Sequence, residues 1–481
     1  MQYVLWASPL FLAVGMLVSR SVSSAGAGAI CLLVTAIVSL ASAPIGFGVS
    51  DLAGAALKGT WLGVLVGAVL VGGLFFREAV YESSGRGTVG GHGGVRNRRR
   101  SAFGACFLTG TFTECATGFG VGQLAISPTL ARLSLKRADA LVLGFFSQSL
   151  VPWGAFANGT MVGAQFSAVD ANTLGLFSAA LTLPLLLGWL CLFWRITAKA
   201  GISGTPYDAA REILYAIAIS ASLAFFSWFF GPEVAGMAAI APLIALEFLL
   251  TENISGGRLR AALPIIWPFI ALIAALSLFR SVPSLRHAAI SFAVAPFPGG
   301  ATYFPLLHPA TWLFAIGSGL WLSRRDGIVL GDRILAALSA GRRSVVAIVL
   351  FLGMAQILGS SGIAGGLAGG LKEIFGRDAL ISVPMMGGLF GYMTSASSVA
   401  NGLLMSAQVA LAPHGPTVLW AATIQNVAAA ALTMVSPVRV SLVSGPAGQD
   451  EKAILIRTLP LALVPLVILT VVAGFVIAVG E

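Results

Sequence analysis

Residues 110–128 read GTFTECATGFGVGQLAISP and lie inside an apolar stretch, 102–131, that is too long for one membrane-spanning helix. Glycine and threonine do not favour a long regular helix, so this stretch predicts two half-helices that meet at an unwound tip. Its only acidic residue is Glu114. A carboxylate in a hydrophobic segment usually faces a cavity, a pathway or a partner charge. The alternative is a glycine-rich helix packed closely on a neighbour, with Glu114 paired to a Lys or Arg.

A second long apolar stretch, 379–413, has the same character, and its centre reads GGLFGYMTSASSVANGL (387–403). Five polar residues crowd eight positions of it: Thr394, Ser395, Ser397, Ser398 and Asn401. A single serine in a membrane helix often bonds back to its own backbone. Five polar side chains exceed that need, and they offer hydroxyl and amide groups for hydrogen bonds. This stretch therefore predicts a second helical hairpin with a binding function.

Composition places the whole chain in a membrane. Of its 481 residues, 57% are hydrophobic and only 10% are charged, whereas a soluble protein is about one quarter charged. Long apolar runs recur that can each cross about 30 Å of hydrocarbon, and the backbone in lipid must satisfy its own hydrogen bonds. The sequence thus predicts an all-α integral membrane protein, with 1–481 forming one polytopic domain in the lipid bilayer.

About twelve transmembrane helices are predicted in addition to the two hairpins. They lie at 3–19, 29–49, 60–76, 138–157, 173–194, 212–230, 234–251, 261–279, 310–323, 344–364, 417–436 and 459–479.

Basic residues predict the orientation. The net charge of +10 is concentrated in loops 77–100, 195–211, 324–343 and 438–457, which the positive-inside rule places in the cytoplasm. This explanation of the charge leaves no need for a nucleic-acid partner. The number of spans between these loops agrees with their cytoplasmic placement only if each long stretch enters and leaves the membrane on the same side. The first stretch then enters from the cytoplasm and the second from outside.

Two re-entrant hairpins that enter from opposite faces are typical of an inverted-repeat transporter. Both termini are then predicted outside the plasma (inner) membrane. The glycine- and arginine-rich part of loop 77–100 has no apolar periodicity, which predicts a flexible cytoplasmic loop.

Two further features leave alternatives open. Residues 147–165 read SQSLVPWGAFANGTMVGAQ, where Pro152 and Gly154 interrupt a good span. They indicate either a broken helix near the hairpins or an ordinary proline kink. Arg439 follows Ser436 and Pro437 at the cytoplasmic end of a span. It is either a topology charge or a gate residue that attracts anions.

Four segments resemble the lactate permease family. They are GTFTECATGFG (110–120), VPWGAFANGTMVGAQ (151–165), GGLFGYMTSASSVANGLLMSAQ (387–408), and MVSPVRVSL (434–442) followed by EKAILIRTLPLAL (451–463). The first is similar to the family's glycine-rich motif with a central glutamate. The third resembles its Gly- and Ser/Thr-rich stretch that ends in Asn and Gln.

The resemblance implies a symporter that carries lactate, glycolate or a similar 2-hydroxy monocarboxylate with a proton. It also implies kinship with transporters built from inverted repeats with two hairpins. The chain departs from the family where Ala396 replaces a common Asp, and where Trp153 and Val438 replace other residue types. Transport of another anion with Na⁺ coupling therefore stays open, as does an anion channel. An enzyme is not expected, because neither HExxH nor GxSxG occurs.

The predicted substrate site lies between the two tips. Glu114 is the predicted proton-coupling group, because burial favours the neutral form of a carboxyl group. The predicted ligands of a substrate carboxylate and hydroxyl are Thr113, Thr117, Gly118, Gly120, Thr394, Ser395, Ser397, Ser398 and Asn401, with Arg439 as the possible gate. No cofactor or metal site is predicted, and a dimer is left open as the oligomeric state.

Overall fold

The protein is all-helical in the computed structural model, which describes residues 2–19, 22–83, 98–251, 256–323, 329–412, 415–445 and 447–479. These residues form no β-strand, and the one β-type contact among them is an isolated bridge between Val294 and Tyr303.

The helices follow one another along the chain with short connections, and several are interrupted by 3₁₀ or π turns. They are α1 (Gln2–Ser19), α2 (Ser24–Ser42), α3 (Val49–Ser83), α4 (Arg98–Phe103), α5 (Gly110–Thr117), α6 (Val121–Ala131), α7 (Arg137–Gly144), α8 (Gly154–Ser167), α9 (Ala171–Lys199), α10 (Pro206–Phe230), α11 (Pro232–Thr251), α12 (Gly256–Ser281), α13 (Pro283–Ser291), α14 (Pro309–Leu322), α15 (Leu330–Ser360), α16 (Ile363–Phe375), α17 (Ser382–Thr394), α18 (Ser397–Leu411), α19 (Pro416–Thr433), α20 (Pro437–Ser444) and α21 (Glu451–Val479).

The long apolar helices confirm the prediction of a helical membrane protein. Within the described ranges, 10 helices are long and apolar enough to cross a membrane. The pair Arg137–Gln148 and Val151–Ser167, bent by 58°, passes the same test together as an eleventh. The span predicted at 310–323 corresponds to α14, whose 14 residues are fewer than the ~17–25 of a typical span.

Several segments predicted as loops are partly helical, which corrects those boundaries. Helix α3 continues to Ser83 and α15 begins at Leu330. Helix α20 occupies most of the first half of the predicted loop 438–457. Long basic side chains can reach water while the backbone continues in helical geometry, so a basic run does not mark a helix end. Residues 84–97, the middle of predicted loop 77–100, and 324–328, the start of predicted loop 324–343, lie outside the described residues.

The first long apolar stretch forms a helix–turn–helix hairpin. Its first arm runs through α4, a π turn at Gly104–Thr109 and α5, and its second arm is α6. The chain reverses at 118–120, where all three residues have positive φ, 71°, 58° and 84° in order. Glycine at the first and third of these positions avoids the strain that a side chain causes there.

Both ends of this hairpin lie together. The Arg98 side chain at its start donates through Nε to the backbone oxygen of Leu133, just after α6, at 3.0 Å. The two arms also lie close together at Gly122. A Cβ added there would stand only 2.3 Å from the backbone oxygen of Gly110. The hairpin therefore begins and ends at one end of the helical bundle.

The second long apolar stretch also forms two helices, α17 and α18, which meet at residues 395–396. Ser395 takes a left-handed conformation, φ 57°, at the turn. Helix α17 packs closely on α19, where a Cβ added at Gly391 would lie 2.0 Å from the backbone oxygen of Ala429. A pair of helices therefore forms at each of the two stretches, as the composition predicts.

The order of elements recurs in the second half of the chain. The order α2, α3, first hairpin, bent pair and α9 resembles the order α14, α15, second hairpin, α19 with α20, and α21, although the second series also has α16 between α15 and its hairpin. The neighbours match as well: α3 packs against α15, α2 packs against α15, and α14 packs against α3.

Polar contacts join helix ends that the predicted topology places on one side. These contacts are Arg333–Glu78 at 3.5 Å, Arg457–Asp139 at 3.0 Å, Arg211–Glu247 at 2.9 Å, Arg280–Glu233 at 2.6 Å, and the hydroxyl of Tyr3 with Glu373 at 2.9 Å. The first three join ends predicted in the cytoplasm, and the last two join ends predicted outside.

Candidate functional site

A small buried cavity lies where the two hairpin tips approach each other. Its volume is about 30 Å³. It is lined by Glu114, Gly118, Phe119, Val151, Gly154, Ala155, Asn158, Gly159, Ser395, Ala396, Ser397, Ser398 and Arg439. Small-molecule sites commonly measure ~300–1,000 Å³, so the space between the tips is too small for a substrate in this conformation.

Glu114 in the cavity wall is held by the start of the hairpin's own second arm. Its side chain is 1% exposed. The backbone N–H of Gly120 donates to both carboxylate oxygens, at 3.0 and 3.1 Å, and that of Gly122 donates to Oε2 at 3.1 Å. We predicted that the N–H groups of this tip, Gly120 among them, would hold a substrate carboxylate. In this conformation the N–H of Gly120 is bonded to a carboxylate of the chain itself.

Arg439 is the ionic partner of Glu114. Its Nη1 donates to Glu114 Oε1 at 2.9 Å and also to Oε1 of Gln148. Helix α19 ends at Thr433 and α20 begins at Pro437. Ser436 caps α20, and its hydroxyl accepts from the backbone N–H of Arg439 at 3.4 Å. This break turns the arginine inward, where it is 5% exposed. Arg439 therefore lies buried in the cavity wall, whereas a topology charge is expected at the water interface.

Two buried hydrogen-bond donors in the cavity wall have no partner among the described residues. Among the described residues, neither Arg439 Nε nor Ser395 Oγ has a hydrogen-bond partner. Ser395 is 9% exposed. Buried polar atoms in native structures are bonded in the great majority of cases, so two such donors in one wall favour an acceptor, such as a carboxylate, between them.

The second tip adds a helix start to the same wall. Helix α18 begins at Ser397 after the extended residue Ala396, φ −143°. The first N–H groups of a helix have no partner within it, and the helix dipole favours an anion there. The hydroxyl-bearing residues Ser397 and Ser398 line the cavity at this end.

The third wall comes from a true helix break and not from a proline kink. Ala155, Phe156 and Ala157 all take left-handed conformations, with φ 47°, 57° and 54°. Such conformations cost about 1–3 kcal/mol each for residues other than glycine and collect at functional sites. Beyond the break, Gly159 lies so close to the second tip that an added Cβ would stand 2.2 Å from Ser397 Oγ.

The structure brings only part of the predicted residue set to the cavity. Those that line it are Glu114, Gly118, Ser395, Ser397, Ser398 and Arg439. Thr113, Thr117 and Thr394 do not line it. Their hydroxyls donate to backbone oxygens of their own helices at 2.9, 2.6 and 2.7 Å, which is the common habit of threonine in membrane helices.

Asn401 is fully buried beside the cavity, in an amide network. Its Nδ2 donates to the backbone oxygen of Gly159 at 2.9 Å and to Oδ1 of Asn426 at 2.8 Å. Asn426 in turn donates to Thr160 and Ser178, both at 3.0 Å. The network ties α18 to α8, α19 and α9, so Asn401 positions the second tip.

Two glutamines were missed by sequence reasoning. Gln148 accepts from Arg439, and its Nε2 donates to Gln123 Oε1 at 3.0 Å. Gln123 donates to the backbone oxygen of Leu141 at 3.1 Å, which completes a buried chain of amides behind the arginine. Both glutamines lie in the apolar segments quoted above, and a glutamine in such a segment was the available signal.

The fold and site define a polytopic helical membrane protein with a buried ion pair in a cavity between two hairpin tips. No model of a known protein family matches the chain, and no curated protein matches it.

Proposed function

We propose that the protein is a secondary active transporter that carries a small organic anion, a 2-hydroxy monocarboxylate such as lactate or glycolate, together with a proton. One observation carries the proposal. A buried carboxyl group, an arginine and the serine-bearing start of a helix face one cavity between the hairpin tips. These groups are what an anion–proton symporter needs: donors for the anion, and an acid for the proton.

In the proposed membrane arrangement both hairpins are re-entrant and belong to inverted repeats. The joined ends of the first hairpin support this arrangement, as do the polar contacts between helix ends predicted on one side. The recurring element order supports two repeats. In transporters of this type the substrate site lies near the bilayer midplane, where discontinuous helices meet.

Charge balance favours a proton as the coupling ion. With Glu114 ionised, its charge and that of Arg439 cancel. An unpaired charge in an apolar interior is costly, so adding a monocarboxylate to this cavity requires one compensating positive charge. A proton on Glu114 supplies it without further ligands.

The small size of the cavity favours a carrier over a channel. A channel shows rings of polar groups along an open pore. Here the space between the two tips and the broken helix is only about 30 Å³. A carrier needs no continuous open pore, because its site faces one side of the membrane at a time.

The proposal is tested by uptake into proteoliposomes. Labelled L-lactate, glycolate, pyruvate, acetate and succinate are offered with pH and Na⁺ gradients imposed separately. We expect an inward proton gradient to drive accumulation of L-lactate or glycolate, and a Na⁺ gradient to have no effect. Accumulation driven by Na⁺ alone would assign another coupling ion, and uptake of none of these acids would sink the proposal.

The proposed topology has its own test. Cysteines introduced at Arg96 and Gly327, in a chain whose native cysteines are replaced, should resist an impermeant thiol reagent applied to intact cells, because both loops are predicted to be cytoplasmic. Gly46, exposed between α2 and α3 near the predicted outer end of span 29–49, is the matched position that should label readily. Ready labelling at either loop would contradict the predicted number of spans and the inverted arrangement of the two hairpins.

The second tip is tested by replacing Ser397 and Ser398 together by alanine. Hydrogen bonds to charged groups contribute about 1.5–3 kcal/mol each, so the KM for uptake should rise by about tenfold or more. Ser406→Ala in the same helix is the control, because that hydroxyl bonds to the backbone oxygen of Phe166 at 3.1 Å and does not line the cavity. An unchanged KM in a well-expressed double variant would show that the substrate site lies elsewhere.

A further inference from the structure

Only part of the guanidinium group of Arg439 is used within the chain. Its Nη1 is bonded to Glu114 and Gln148. Its Nε is buried with no partner among the described residues. A guanidinium group can bind a carboxylate through two N–H groups at once, so this arginine retains capacity for an anion.

The remaining donors of the cavity belong to the second tip. The hydroxyl of Ser395 is also buried without a partner in the described part of the chain. It stands beside the start of α18, where Ser397 and Ser398 line the cavity. The arginine, the hydroxyl and the helix start come from separate elements, and all favour an acceptor with negative charge.

Glu114 competes for the same arginine. Its carboxylate is the anion that balances Arg439, at 2.9 Å, and two backbone N–H groups hold it in place. One arginine in a low-dielectric wall cannot balance two carboxylates, since the second charge would be left uncompensated. Binding of an external carboxylate and ionisation of Glu114 are therefore mutually exclusive.

We infer that Glu114 is an internal counter-anion that holds Arg439 until an external carboxylate replaces it. The incoming carboxylate binds Arg439 and the start of α18, and Glu114 takes up one proton from solvent as it releases the arginine. No covalent bond other than this O–H bond forms or breaks. The role of this exchange in transport rests on the proposed function, but the exchange itself requires only binding.

The surroundings of Glu114 leave it as the group that takes the proton. Helices α6 and α8 and the 3₁₀ turns at Phe145–Gln148 and Val151–Trp153, which pack against α5, contain no acidic, basic, histidine, cysteine or tyrosine residue. On α5 itself the other titratable group is Cys115. The titratable groups on its remaining neighbours are Cys106 in the π turn, Glu233 and Glu247 on α11, and on α3 Asp51, Lys58, Arg77, Glu78, Tyr81 and Glu82. Those on α11 are bonded to arginines of their own, Arg280 and Arg211.

On α20 and its neighbour α21 the other charged groups are Glu451, Lys452 and Arg457, all in the first two turns of α21. Arg457 pairs with Asp139 at the end of the bundle. None of the three lines the cavity.

Formate, the smallest carboxylate, tests the exchange without knowledge of the transported acid. Thermal unfolding of the purified full chain in detergent is followed against formate concentration at neutral pH for the parent, Glu114→Gln, Arg439→Gln and the double variant. Because Glu114→Gln leaves the arginine without its counter-anion, it should bind formate about tenfold or more tighter than the parent. The two variants without the arginine should lose this stabilisation.

A matched control uses another buried pair. Glu212 is fully buried and bonded to Arg99 at 2.8 Å, away from the cavity. Glu212→Gln should leave formate binding at the parent's level. The inference is overturned if Glu114→Gln gains no affinity, if it keeps its formate binding when Arg439 is also replaced, or if Glu212→Gln gains as much.

A second measurement needs no variant and applies even if Glu114→Gln does not fold. Formate is ionised at neutral pH, so its binding to the parent should take up close to one proton per formate bound, measured by a pH indicator in weakly buffered solution. Binding with no proton uptake overturns the inference. Failure of every acid in the proteoliposome panel would sink the transport proposal and leave this result standing.

Discussion

Replacing Glu114 by glutamine should abolish accumulation of substrate against a gradient while leaving exchange intact. Glutamine keeps the shape of the protonated acid, and its carbonyl oxygen can still accept from the N–H of Gly120, which bonds Glu114 at 3.0 Å. It cannot gain or lose a proton. Exchange of one substrate molecule for another needs no net proton movement, so only the coupled process should stop. The measurement compares uptake under a pH gradient with exchange in the same proteoliposomes.

Glu247→Gln is the control for this prediction. Glu247 is also an acid in a predicted span, but it pairs with Arg211 at 2.9 Å near the predicted cytoplasmic end and does not line the cavity. Its replacement should leave the accumulation ratio unchanged. If Glu114→Gln concentrates substrate as well as the parent, Glu114 is structural and the coupling ion is not a proton held there.

Replacing Arg439 by glutamine should have the second large effect, on both stability and binding. Breaking a buried ion pair from one side costs about 3–5 kcal/mol, because the remaining charge is left uncompensated. Here that charge is the carboxylate of Glu114, which is 1% exposed. Substrate affinity should fall with it, since the arginine is the only cation in the cavity wall described by the structure. Unfolding midpoints and substrate-dependent thermal shifts measure the two effects.

The double variant separates these effects. With both Glu114 and Arg439 replaced by glutamine, no charged side chain remains in the cavity wall, so most of the lost stability should return. Substrate binding should not return. A single Arg439→Gln variant that is as stable as the parent and binds substrate with the parent's affinity would contradict the proposed site.

Local composition was enough to predict a break between two helices in each of the two long apolar stretches. Glycine around 118–120 and the polar cluster at 394–401 are properties of short segments, and the segments fold as such. The pairing of Glu114 with Arg439 could not be predicted from local composition. Glu114 and Arg439 lie 325 residues apart, and no periodicity or spacing joins them. The sequence therefore left Arg439 open between a topology charge and a gate residue.

Hydrogen-bond partners within the chain explain the other differences between the predicted substrate ligands and the structure. The N–H of Gly120 had the chemistry expected of an anion ligand, but a carboxylate six residues earlier in the chain occupies it. Asn401 had the chemistry of a substrate ligand, but Gly159 and Asn426 use its Nδ2. The left-handed residues Ala155–Ala157 contain no glycine, so residue preferences gave no sign of their conformation.

Counterflow in proteoliposomes tests the proposed carrier most directly. Vesicles loaded with excess unlabelled L-lactate and diluted into labelled L-lactate should accumulate label transiently above its equilibrium level, because a carrier exchanges one molecule for another across the membrane. The same overshoot should appear with Glu114→Gln and disappear with Arg439→Gln. Label that only equilibrates in the parent, with no overshoot, would contradict a carrier with its anion site between the hairpin tips.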